Sequence, residues 1–204
     1  MKNVCLVVLF FFSFLRGYDI LHLGVDWEGE TGLSTFEQIR NDGMNQRVTI
    51  TFSELPKDMD GLNALPESER TTPFQTAALT ICALCAYVKD AENGLDMIGL
   101  LKGSAVFSGK DREVLKERLE GKAYLPFSYF TGATPENAYT PETPYRLTFT
   151  TNPFSFSEHG FVRLFVSKEG AGAKKAITLR QQENQWMLWE YASLLTGVVP
   201  PVVQ

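Results

Sequence analysis

At 204 residues, with 44% hydrophobic and 21% charged residues, the chain has ordinary globular composition. It is long enough to bury a core in one domain without disulfides or metals. A net charge of −5 with scattered Lys and Arg argues against a nucleic-acid groove, and three cysteines cannot build a disulfide framework.

The first element is an apolar run, Val4 to Leu15, behind Met1-Lys2-Asn3. It has the length of a signal-peptide hydrophobic region and falls short of the roughly 18–20 residues of a spanning helix. One Lys precedes it, and Ala-x-Ala-like cleavage chemistry is missing around Ser13 to Gly17. Three readings stay open: a signal segment cleaved near Gly17 or Tyr18, a retained anchor, or a leader upstream of the true start. A cytoplasmic domain is preferred over an exported or membrane-associated one. Gly24 to Gly32 is an acidic, glycine-rich linker. The expected organisation is therefore a leader and linker over residues 1–33 and a single domain over 34–201.

Ser34-Thr-Phe-Glu37 has capping-box spacing, which predicts a short helix with Phe36 and Ile39 on one face, ending at Gly43. Arg47 to Phe52 alternates, with Val48, Ile50 and Phe52 inward, and predicts a strand. Thr72-Pro73 is an N-cap followed by proline at the first helical position. The residues from Ala77 to Val88 are almost all apolar, so this helix is expected to be buried all round at the centre of the core. A second helix is predicted near Ala91 to Leu101, with Leu95, Ile98 and Leu101 as its stripe. A third starts at Ser108, carries Val114, Leu115 and Leu119 inward, and ends at Gly121.

Thr134 to Tyr145 holds two tandem copies of Thr-Pro-Glu-x-x-Tyr. It reads as a stiff connector whose tyrosines staple onto the sheet, or as a binding rim of Tyr129, Tyr139 and Tyr145. From Tyr145 to Tyr191 four segments alternate at a period of two, separated by turn-forming links, and predict an antiparallel meander. Phe161 and Phe165 fall on the face opposite Val162, Leu164 and Val166. With Trp186 and Trp189 of the last strand, the candidate binding set is Tyr129, Tyr139, Tyr145, Trp186 and Trp189.

Catalytic motifs are lacking. Cys82 and Cys85 have Cys-x-x-Cys spacing inside an apolar helical run, which fits buried packing better than redox or zinc chemistry. Glu158-His159 reads as a surface turn rather than an acid–base pair. There is no Gly-x-Ser-x-Gly elbow, phosphate loop or dinucleotide turn. No catalytic residue, metal ligand or cofactor is assigned.

The phrases Ser34-Thr-Phe-Glu-Gln-Ile-Arg40, Thr72-Pro-Phe-Gln-Thr-Ala-Ala-Leu79, Ser128-Tyr-Phe-Thr-Gly-Ala-Thr-Pro-Glu-Asn137, and Ile177-Thr-Leu-Arg180 with Trp186-Met-Leu-Trp-Glu190 resemble an uncharacterised bacterial domain family of unknown function. The resemblance spans roughly residues 34–201. It implies a small single-domain bacterial α+β protein with no established activity, so no functional residues carry over. The expected fold class is α+β, an antiparallel sheet of about five strands (one early strand and the C-terminal meander) packed against three central helices. The preferred function is a non-enzymatic binding or interaction module that presents aromatic residues to a protein, peptide or glycan, with no nucleic-acid partner. The alternative is a small enzyme or ligand-binding protein resembling the nuclear-transport-factor-2-like cone, with a pocket between helices and sheet.

Overall fold

The structure, a computed structural model, describes residues 34–41, 45–103, 107–167 and 174–202. The expectations for Val4–Leu15 and for Gly24–Gly32 lie outside those residues. Among the described residues no helix is long and apolar enough to cross a membrane.

The fold is α+β. Six strands form one antiparallel sheet in the order β1-β2-β3-β4-β5-β6: β1 Ser34–Asn41, β2 Gln46–Phe52, β3 Tyr145–Thr150, β4 Phe161–Val166, β5 Lys175–Gln182 and β6 Gln185–Glu190. The helices α1 Met59–Asn63, α2 Pro73–Tyr87, α3 Ala91–Leu101 and α4 Gly109–Leu119 are all inserted between β2 and β3. Despite that long insertion, β2 and β3 are direct neighbours, paired from Arg47↔Thr150 to Phe52↔Tyr145.

The alternation expected of the strands is what buries them. Val48, Ile50 and Phe52 of β2, Leu147 and Phe149 of β3, and Leu164 and Val166 of β4 are all inaccessible, as are Ile177 and Leu179 of β5. Residues one position away, such as Arg47, Arg163 and Thr178, are half-buried or exposed. β1 differs from expectation, since Ser34 to Asn41 is a strand and not a capped helix. It pairs with β2 from Ser34↔Phe52 to Asn41↔Gln46, with a bulge between Gln38 and Arg40. The capping-box spacing is a purely local signal. The open edge of β2 offers this segment a full ladder of backbone partners, and that tertiary pairing overrides a short segment's weak helical preference.

Helix α2 is the core element. The Thr72 backbone N–H donates to Gln75 Oε1 at 2.9 Å and the Gln75 N–H donates to Thr72 Oγ1 at 3.4 Å, closing a capping box ahead of Pro73. Every residue from Ala77 to Ala86 is buried. Its two buried hydroxyls are both used: Thr76 donates to the Trp186 carbonyl at 2.7 Å and Thr80 to the Thr76 carbonyl at 2.7 Å. Cys82 and Cys85 are free, buried thiols packed as small hydrophobes, and burial pushes both well above the ordinary thiol range. Helix α3 is capped by Asp90, whose carboxylate accepts from the N–H groups of Glu92 and Asn93 at 3.1 and 3.2 Å. Ser108 caps α4 by accepting from the Asp111 N–H at 3.1 Å.

The outer edge of β6 is bonded at Trp186 by Arg70. This residue is 8% exposed and has left-handed backbone geometry, φ 53°. Its carbonyl accepts from the Trp186 N–H at 2.8 Å. Its guanidinium donates to the Leu100 carbonyl at the end of α3 at 3.0 Å and to Gln185 Oε1 at 3.0 Å. One side chain thus ties α3, β6 and the turn before α2 together, and desolvation lowers its pKa. Arg70→Ala leaves the Leu100 carbonyl without that donor inside the fold. That carbonyl keeps the Gly103 N–H at 3.0 Å, so the cost is that of the two charge-assisted bonds the guanidinium gives up, and we expect a loss of about 2 kcal/mol in chemical denaturation.

Candidate functional site

The three tyrosines of the expected rim are placed inward or against the core. Tyr129 is 2% exposed and donates from its hydroxyl to the Leu194 carbonyl at 2.6 Å. Tyr139 is 1% exposed, donates to the Val199 carbonyl at 2.7 Å and stacks on Tyr124 with centroids 5.3 Å apart. Both hydroxyls therefore hold the segment that follows β6, and neither ring offers a face to a ligand. Tyr145 is half-buried, edge-on to Phe130 at 5.8 Å. The connector is stiff because Asn137 saturates itself. Its Nδ2 donates to the carbonyls of Gly132 and Thr140 at 2.7 and 3.0 Å, and its Oδ1 accepts from the N–H groups of Thr134 and Thr140 at 2.9 and 3.2 Å.

The two tryptophans of β6 part company. Trp186 packs partly buried against the core. Trp189 is 53% exposed. The cause is a bulge: Leu179 pairs with Leu188 and Thr178 with Glu190, so Trp189 has no partner in the β5–β6 register. An extra residue of this kind re-aims side chains, and here both Trp189 and Glu190 end up exposed. The indole is held from two directions. The Phe161 ring meets it edge-on with centroids 5.5 Å apart, and the Arg180 guanidinium carbon lies 4.8 Å from its centroid. Phe161 and Arg180 are themselves register partners across β4 and β5, so the sheet geometry fixes the cluster. Glu190 is occupied locally, its carboxylate accepting from the Ala192 N–H at 2.7 Å.

Beside this cluster, the β3–β4 loop exposes two more rings, Phe154 at 77% and Phe156 at 46%. Ser155 between them is buried and its carbonyl accepts from the Arg163 N–H at 2.9 Å, which holds the loop along β4. Sequence reasoning passed over these two phenylalanines. Their signal was the run Asn152-Pro-Phe-Ser-Phe-Ser, with two aromatics in turn-forming company. Glu158 and His159 follow them as exposed turn residues.

A cleft of about 220 Å³ lies at the other end of α2, lined by Leu55, Pro56, Cys85, Lys89, Asp90 and Asn93 among others. It is small against the roughly 300–1,000 Å³ of ordinary ligand pockets. Asp90 is engaged as the α3 cap, and Lys89 sits over the Phe127 ring at 5.4 Å. A cone pocket would instead need space between α2 and the sheet, where the 2.7 Å contact from Thr76 to Trp186 seats the helix directly on β6. Among the described residues no group of three or more His, Cys, Asp or Glu is placed to hold a metal ion.

Residues 54–202 match the family described as a domain of unknown function, DUF6935, and the chain belongs to that family. The match begins just after β2, so β1 and β2 lie outside it, although β2 pairs with β3 from Arg47 to Phe52. No curated protein matches the chain. No solved structure matches it either.

Proposed function

We propose that the domain is a non-enzymatic binding module whose working surface is the sheet face around Trp189, with Phe161 and Arg180 as its supports and Phe154 and Phe156 at its margin. The observation that carries this reading is the state of Trp189: a large ring, 53% exposed, yet fixed by an edge-on aromatic contact and a guanidinium. An exposed indole normally costs solubility, whereas a pre-oriented one contributes contact area with little ordering entropy on binding. The neighbouring exposed phenylalanines enlarge the apolar area in the way that marks interaction surfaces.

The test is an array of immobilised glycans and peptides probed with the intact chain and with Trp189→Ala. Binding to a restricted set of probes is expected for the parent and loss of that binding for the variant. Thermal unfolding should stay within about 0.5 kcal/mol, as for exposed positions. Probes bound equally by both proteins would overturn the assignment of this face.

A further inference from the structure

We infer that the ligand of the Trp189 face is an acidic polysaccharide, its carboxylates gripped by Arg163 and Arg180 while a sugar ring stacks on the indole. This rests on the binding-module reading above and adds the chemical class of the ligand.

Charge is the first argument. The chain carries a net −5, yet this side of the sheet collects Arg47, Arg163 and Arg180. Among the residues whose side chains are described, Arg163 and Arg180 form no ion pair. The ion pairs that form there are Lys102–Asp111, Arg112–Glu92 and Arg146–Glu142. The one carboxylate on β6 beside the cluster, Glu190, is taken up by the Ala192 N–H. Glu158 lies in the exposed turn before β4. Arg180 donates only a long 3.5 Å hydrogen bond to Gln182, so its fork is available to an incoming anion. A cationic row on an acidic protein selects an anionic partner.

Geometry narrows the class. Arg163 is opposite Thr178 and Phe161 opposite Arg180, which makes the two arginines diagonal neighbours on adjacent strands, about 7–8 Å apart at the backbone. Planar guanidinium forks match carboxylates two hydrogen bonds at a time. The surface is a sheet face and not a groove, and at Trp186 the edge of β6 is already bonded to Arg70 and Thr76. A peptide adding as a strand needs an open edge, and a peptide helix needs a groove. A flat ring bearing a carboxylate needs neither, and Trp189 supplies the platform. Single-stranded nucleic acid would ask for successive stacking rings and a tract of phosphate contacts. Here Trp189, Phe154 and Phe156 are the exposed rings, but only the two forks of Arg163 and Arg180 stand beside the indole, short of a tract of phosphate contacts.

The experiment is affinity electrophoresis of the intact chain at near-physiological salt, with polygalacturonate, dextran, polyglutamate or oligo-dT in the gel. Retardation by polygalacturonate alone is expected. Arg163→Gln and Arg180→Gln should each weaken it about tenfold, the loss of one charge-assisted contact. Trp189→Ala should abolish it, with thermal unfolding of Arg163→Gln unchanged as the control for folding. Equal retardation by polyglutamate or oligo-dT, or no retardation by any polymer, overturns the inference. Retardation by dextran that Trp189→Ala abolishes overturns it too, while leaving the binding face standing. Retardation by polygalacturonate that Trp189→Ala leaves intact overturns both.

Discussion

Leu84→Ala is expected to lower the free energy of unfolding by about 2–5 kcal/mol, the range for deleting a fully buried leucine. Leu84 lies in the last third of α2 and is completely inaccessible, as are Ile81, Cys82 and Ala83 before it. Part of the loss is the transfer of the removed methyl groups, and the rest is the void left behind. The surroundings cannot close over that void easily. Helix α2 is held at its start by the Thr72–Gln75 box and along its length by the Thr76 bond to Trp186. Ten consecutive residues of α2, Ala77 to Ala86, are buried, and a close-packed interior refills such a gap only in part. Equilibrium denaturation with urea measures the effect. A loss within about 0.5 kcal/mol, typical of surface positions, would mean that α2 is peripheral to the core.

What could be read from the chain beforehand follows the range of each signal. The α2 helix was legible because its cap, its proline and its unbroken apolar run are all local and agree. The strands β2 to β6 were legible because a period of two survives whatever the strands pair with. β1 was misread because its capping-box letters describe the segment alone, whereas its structure is decided by β2. The tandem Thr-Pro-Glu-x-x-Tyr copies were legible as a stiff connector, but nothing local says that Tyr139 bonds the carbonyl of residue 199, or that Tyr129 before them bonds that of residue 194. Trp186 and Trp189 look equivalent in the sequence. What separates them is a bulge, a property of the β5–β6 register, which depends on two segments at once. The row of Arg163 and Arg180 beside Phe161 has the same origin, since cross-strand neighbours appear only when the pairing is known.

Gly94→Ala should destabilise the domain by about 3 kcal/mol or more, at the upper end of overpacking costs, although alanine is the better helix former. Intrinsic propensity alone favours the substitution by about 1 kcal/mol in a helix interior such as α3. Packing decides the sign. A Cβ at position 94 would lie 2.3 Å from the Cα of Tyr87 and 2.4 Å from both its N and Cβ. Those atoms belong to the last turn of α2, so the obstacle is backbone and cannot rotate away. Relief requires α3 to move off α2, and that movement would disturb the Leu95 and Ile98 contacts with the core and the Arg70 bond to the Leu100 carbonyl. Gly109 at the start of α4 is the matched control. A Cβ there meets nothing within 4 Å, so Gly109→Ala should be neutral or stabilise by about 0.4–1 kcal/mol through the unfolded chain. Urea midpoints of the two variants measured side by side separate packing from propensity. Equal and small effects at the two positions would show that α2 and α3 do not touch at Gly94 as described. A large loss at Gly94 alone would bear out the close crossing of α3 against Tyr87 at the end of α2.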